Sequence, residues 1–234
     1  MQLLTENKKI KIDIQRKNVK NLNLSIFPGC NIRLNVPMNV SDEYINDFLC
    51  RKENWIKSKI QLLDTAKQYD LVDKKIKNGT SIKILGYQYE IILKKASKND
   101  IKKTNDKIII QYKNNVSYEN LLNKFLNREA KLLYEELLDD LYSIIGKYGA
   151  TKPMLKIRKM KSRWGSYSRD NNTILVNKEL YSAPLDCIRY VIIHELTHIL
   201  YYNHSKEFYN FLSIHCPNWE SCKAKLDYEF VREL

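Results

Sequence analysis

Five consecutive residues, His194-Glu195-Leu196-Thr197-His198, constrain this chain more than any other stretch. Two histidines four positions apart share a face only where the backbone is helical. The flanking sequence fits a helix over residues 185–202. Ile188, Ile192, Leu196 and Ile199 recur at steps of three and four and mark a core stripe. Pro184 stands at its start, where a proline is well tolerated. His194 is two residues from Ile192 and from Leu196, which is about 200° around a helix. Both histidines therefore point away from the stripe, into whatever cleft lies above it.

Imidazoles at this spacing can each offer one nitrogen to a single zinc ion at about 2.0–2.1 Å. Glu195 is turned about 100° from His194. It does not readily enter the same coordination plane, but it can reach a metal-held water and so suits a general base. It would accept the proton as the water oxygen attacks a carbonyl and then pass it to a leaving amine. A catalytic zinc site takes three protein ligands and keeps one position open. His204 is the expected third ligand, because Asn203 can end one helix or cap the next and let the chain turn back. Glu207, Glu220 and Glu229 compete for that role. The spacing matches the metzincin pattern H-E-x-x-H-x-x-G-x-x-H, except that Tyr201 occupies the glycine position, which argues against a metzincin turn. His215 is read as packing on a following helix. Hydrolysis also needs a donor for the developing oxyanion. Arg163, Tyr201, Tyr202 and Tyr209 are the candidates, with Arg163 favoured by the close approach that Gly165 allows beside it. The strand 173–176 is either an edge that pairs with an extended substrate or an ordinary paired strand.

The rest of the chain reads as an α+β protein with a β-rich N-terminal half. Ile10, Ile12 and Ile14, then Leu22, Leu24 and Ile26, then Ile32, Leu34 and Val36 alternate with polar residues, as in a β-meander. Ser41 caps a helix reaching about Tyr69, with a break near residues 50–52 and Trp55 as a core anchor. A hairpin turns at Gly86, a polar loop covers 94–106, and Ile108, Ile109 and Ile110 make another strand. A long helix spans 118–147, a strand contains Leu155, Ile157 and Met160, and Arg163-Trp164-Gly165-Ser166 makes a turn. No internal repeat stands out.

Five scattered cysteines with no C-x-x-C pair exclude a disulfide framework, and Cys216 and Cys222 are read as partly buried thiols. No run of residues is long and apolar enough for a membrane span, and no secretory signal opens the sequence, so the cytoplasm is the expected location. The net charge of +13 raises a second reading, a nucleic-acid-associated module with a structural or vestigial zinc site. Against it, the excess is mostly lysine, is spread along the chain and accompanies abundant Asn, Ile and Tyr, as AT-rich coding produces. Glu195 also favours the enzyme, since a purely structural site has no use for a base.

Several motifs in order carry a family likeness. Arg163-Trp164-Gly165-Ser166, Thr173-Ile174-Leu175-Val176-Asn177, Leu180, Pro184, Tyr190-Val191-Ile192-Ile193 running into the five-residue motif, and Asn203-His204-Ser205-Lys206-Glu207-Phe208 resemble the YgjP-like metallopeptidases, relatives of the SprT-like and WLM zinc proteases. The early strands, the helix around Trp55 and the Leu85-Gly86-Tyr87 turn extend the likeness from about residue 10 to 230. It implies one unit over 1–234, with a β-rich subdomain 1–115 and a zincin-like catalytic subdomain 116–234. It also implies zinc ligands at His194, His198 and His204, a catalytic Glu195 and a polypeptide substrate. Tyr167 departs from the many relatives that place a cysteine there. The SprT-like relatives act on proteins crosslinked to DNA, which links the two readings by analogy.

Overall fold

The computed structural model describes all residues except 1, 6–7, 28–30, 67–75, 115, 161–162 and 230–234. The chain divides into two compact units, Met1–Val72 with Tyr228–Leu234, and Asp73–Asp227. Their elements are mixed α and β, as the sequence pattern implied.

The first unit holds β1 (Gln2–Thr5), β2 (Lys8–Lys17), β3 (Asn23–Phe27), β4 (Asn31–Pro37) and α1 (Asp42–Ala66). The sheet order is β1-β2-β4-β3, with β2 parallel to β4 and the other pairs antiparallel. The expected meander is thus corrected. Alternation reports which face a residue takes, not which strand lies beside which. Ser41 Oγ accepts the Tyr44 N–H at 3.3 Å, and α1 then runs through residues 50–52 without the expected break. Ile45, Leu49, Ile56 and Ile60 bury one stripe of α1 with Ile12, Ile32, Leu34 and Val36. Trp55 is 45% exposed and is not the core anchor; Ile56 beside it occupies the buried position. The expected helix end at Tyr69 lies outside the described residues.

The second unit begins with β5 (Ser81–Ile84), β6 (Tyr87–Lys95), β7 (Asp100–Lys103) and β8 (Lys107–Tyr112), in the order β5-β6-β8-β7. Again the second and fourth strands are parallel, with Ile91 opposite Ile108. β7 lies within the expected loop 94–106. It is an edge strand whose single apolar residue, Ile101, is too little to show alternation. Next comes α2 (Tyr118–Gly146), where Ser117 Oγ accepts the Asn120 N–H at 3.1 Å. β1–α1 and β5–α2 are therefore two copies of one topology, each with an Asn-Val-Ser lead into its helix at 39–41 and 115–117. This corrects the sequence reading, which found no repeat. Apolar alternation can persist while residue identity drifts. The β5–β8 sheet, expected to share the 1–115 subdomain with β1–β4, lies in the second unit with α2 packed on it.

β9 (Met154–Arg158), β10 (Gly165–Ser168) and β11 (Thr173–Asn177) form a third sheet in the order β10-β11-β9. Gly165 and Ser166, expected in a turn, already belong to β10. β11 is paired on both sides and is the ordinary strand of the two alternatives; the edges are β10 and β9. A 3₁₀ helix (Lys178–Ser182) leads to α3 (Leu185–Leu200), α4 (Lys206–His215) and α5 (Trp219–Glu229). α3 is packed by α2, β10 and α4 and buries far more than one stripe, including Cys187, Tyr190, Val191 and Ile193. Cys187, Cys216 and Cys222 are free and buried, and Cys30 lies outside the described residues. No helix among the described residues is long and apolar enough to cross a membrane.

Candidate metal centre

α3 presents His194 and His198 on successive turns. It ends where the Tyr201 N–H bonds Thr197 O at 2.9 Å, and Ser205 then caps α4. This reversal brings His204 back beside the pair. His204 Nε2 lies 3.0 Å from His194 Nε2. One ring nitrogen from each of the three histidines falls within 4.8 Å of the others, a set that could hold a metal ion. Two imidazole lone pairs at that separation repel unless a proton or a cation lies between them. The electrostatics disfavour the proton. Burial, and then the charges of His198, His204 and Lys223, push His194 down to about 3. Burial also lowers His198 and His204 from the usual imidazole range. Neutral imidazole is the form that ligates metal. His198 Nδ1 is 3.2 Å from Tyr201 O. As a donor there it leaves Nε2 for a metal.

Glu195 is only 5% exposed and sits where α3 meets β10. A Cβ on Gly165 would fall 2.6 Å from Glu195 Oε1, so only glycine allows the strand to pass this close. Burial raises the Glu195 carboxyl to about 8, against the opposing pull of the Tyr167 backbone N–H and the Arg163 charge. Arg163 also reaches Ser166 Oγ at 3.4 Å. The Tyr167 side chain points elsewhere, its hydroxyl 3.1 Å from Asn172 Oδ1 across the β10–β11 turn. At this position the backbone, not the side chain, meets Glu195.

The other candidates separate by location. Glu207 is exposed, with its carboxylate 2.6 Å from Ser205 Oγ at the start of α4, outside the histidine cluster. Glu220 is exposed on α5, and the Glu229 side chain lies outside the described residues. Tyr201 turns its ring onto Phe211 at 5.7 Å, and Tyr202 is 73% exposed with Arg169 over its ring. Tyr209 stacks 6.0 Å from His204 and 5.1 Å from Trp219. His215 packs on Phe211 at 4.6 Å, as its position at the end of α4 suggested. Sequence reasoning missed Tyr190 and Phe208, whose rings pack on the histidines. The one available signal was that Phe208 falls within the first turn of a helix whose serine cap directly follows His204.

A buried carboxylate beside a cluster of three neutral imidazoles, on a helix under an edge strand, has the make-up of a metal-dependent hydrolase. The chain belongs to the YgjP-like family, described as YgjP-like, metallopeptidase domain, which matches residues 20–229. It is accordingly a metallopeptidase. No curated protein matches it. Among solved structures it is similar to the metallopeptidase zymogen of Pyrococcus abyssi abylysin, at 21% identity and a TM-score of 0.39, over 43% of this chain and 98% of that one. It is also similar to the metallopeptidase zymogen of Methanocaldococcus jannaschii jannalysin, at 22% identity and a TM-score of 0.36, over 44% of this chain and 97% of that one.

Proposed function

We propose that the protein is a zinc-dependent peptidase in which His194, His198 and His204 hold the metal and Glu195 moves the proton. The observation that carries this reading is the placement of a nearly buried Glu195 carboxylate next to the one three-histidine cluster found among the described residues. Zinc, when bound, would supply Lewis-acid polarisation of the scissile carbonyl and of water. The chain's own groups do the rest. The Tyr167 amide and the nearby Arg163 charge orient the Glu195 carboxylate against Gly165. Glu195 takes a proton from the attacking water and returns it to the leaving amine. Arg163 is the group best placed to meet negative charge developing on the carbonyl oxygen.

The substrate is a polypeptide, the location the cytoplasm, and residues 1–234 act as one peptidase unit. The rival reading, a nucleic-acid module, predicts binding that weakens steeply with salt. It gains no particular support from the site. The test is Glu195→Gln assayed on an unfolded protein. Hydrolysis is expected to fall by about 10²–10⁴-fold with metal content unchanged. Full activity in that variant would overturn the role given to Glu195.

A further inference from the structure

Histidines that bind metal are usually fixed by a hydrogen bond from the second ring nitrogen to a carbonyl or carboxylate. Only one of these three follows that rule. His198 Nδ1 meets Tyr201 O at 3.2 Å. His194 Nδ1 is buried without any hydrogen-bond partner. For His204, the described hydrogen bonds reach only Nε2. With no acceptor on Nδ1, the His194 ring needs another support to keep its Nε2 3.0 Å from that of His204.

Phe208 is placed to do so. It is fully buried, at 0% exposure. Its ring centroid lies 5.0 Å from that of His194, 4.7 Å from His198 and 4.7 Å from His204. It meets His194 and His204 edge-to-face, both at 71°. Ring pairs favour this arrangement, and it restricts rotation about both side-chain torsions of the histidine. Local sequence fixes the geometry. Ser205 Oγ accepts the Phe208 N–H at 3.4 Å, which seats Phe208 in the first turn of α4 immediately after the loop carrying His204. Tyr190 adds a ring 5.8 Å from His194, and Tyr209 adds one 6.0 Å from His204.

We propose that Phe208 is the positioning residue of the metal centre, its ring substituting by shape for the hydrogen bond that His194 Nδ1 lacks and packing His204 against the pair. This rests on the reading of the three histidines as metal ligands. Phe208 touches neither substrate nor metal; it acts through the imidazoles.

The test is zinc affinity of the full chain, by competition with a chelator, together with the visible spectrum of the Co²⁺-substituted protein. Phe208→Leu is expected to weaken zinc binding by about 10–100-fold, the range for lost ligand-orienting partners, and to alter the Co²⁺ bands. Phe208→Met keeps the volume but not the flat ring. It is expected to weaken binding similarly with a smaller loss of Tm. Leu212→Ala empties a fully buried aliphatic position one turn further along the same helix. It should lower Tm but leave zinc affinity within about twofold, as expected for a core change outside the ligand-orienting shell. Wild-type affinity in both Phe208 variants, or equal weakening in Leu212→Ala, would overturn the proposal alone. Failure of the wild-type chain to bind zinc would overturn the ligand reading and this inference with it.

Discussion

The β1–α1 and β5–α2 blocks share strand order, strand sense and a serine cap on the helix that follows. Their burial differs. Among its described side chains α1 hides a single stripe, Ile45, Leu49, Ile56 and Ile60. α2 hides more of its circumference, with the adjacent Leu137 and Leu138 both buried, Leu141 a turn further on and Tyr134 at 0% exposure. The reason lies in what each helix serves. α2 packs on the β5–β8 sheet and also on α3. The β5–β6 turn is tied to the entry of that helix, as the Leu85 and Gly86 amides donate to Tyr181 O and Ser182 O at 2.9 and 3.0 Å.

The seam beside each helix differs too. In the second block the Lys113 N–H donates to Asn99 Oδ1 at 2.8 Å, and Tyr112 packs on Tyr118 at 4.7 Å. Aligned on Asn-Val-Ser, the first block has Pro37, which lacks an N–H, in place of Lys113. It also has Val36 and Asp42 in place of the two tyrosines. A groove of about 680 Å³ opens there, lined by Lys20, Leu22, Pro37, Tyr44 and Phe48 among others. One topology therefore gives a helix that packs on both its sheet and α3 in one block, and a sheet-and-helix layer with an open seam in the other.

The sharpest way to break this comparison is to hollow out each block. Tyr134→Ala should cost about 3–5 kcal/mol and weaken zinc binding, because α2 supports α3. Leu49→Ala should cost about 2–5 kcal/mol and leave zinc affinity unchanged. Urea unfolding and zinc titration of both variants measure this, and equal loss of zinc affinity would end the distinction. A smaller effect is expected at Gly86, which has φ +84° and where a Cβ would lie 3.1 Å from Pro184 Cγ. Gly86→Ala should cost about 1–3 kcal/mol. Gly79→Ala, at φ +85° where a Cβ would meet only Glu90 Oε1 at an unstrained 3.9 Å, carries the backbone strain alone and should fall at the low end of that range. Unfolding free energies that put Gly79→Ala above Gly86→Ala would contradict the docking of the β5–β6 turn. The smallest effect tests likeness instead of difference. Ser41→Ala and Ser117→Ala each remove an N-cap acceptor and should each cost about 1 kcal/mol. A loss in only one of them would show that the caps are not equivalent.

The site was the most legible part of the sequence, because helical spacing alone places His194 and His198 together and a serine-capped helix start explains the return of His204. Strands were legible wherever residues alternated, as in β2, β3 and β4, but pairing order was not. A parallel central pair leaves the same apolar pattern as a meander. β7 was missed for want of apolar residues. Trp55 was misplaced because an aromatic ring next to Ile56 resembles a core residue whichever of the two faces inward. The seat of Glu195 was half visible. Gly165 signalled close approach, but its contact with Glu195 crosses from one element to another, and a linear sequence does not display such proximity. Phe208 was hidden for the same reason, since its role depends on three rings from two elements meeting in space.

The claim that these three histidines form a metal centre is tested most directly by X-ray absorption at the zinc edge of the purified, zinc-loaded chain. Three imidazole nitrogens at about 2.0–2.1 Å, one further light atom and no sulfur at about 2.3 Å are expected. Loss of one imidazole shell in His204→Ala is expected as well. A sulfur scatterer in the first shell, or an unchanged shell in His204→Ala, would contradict the account.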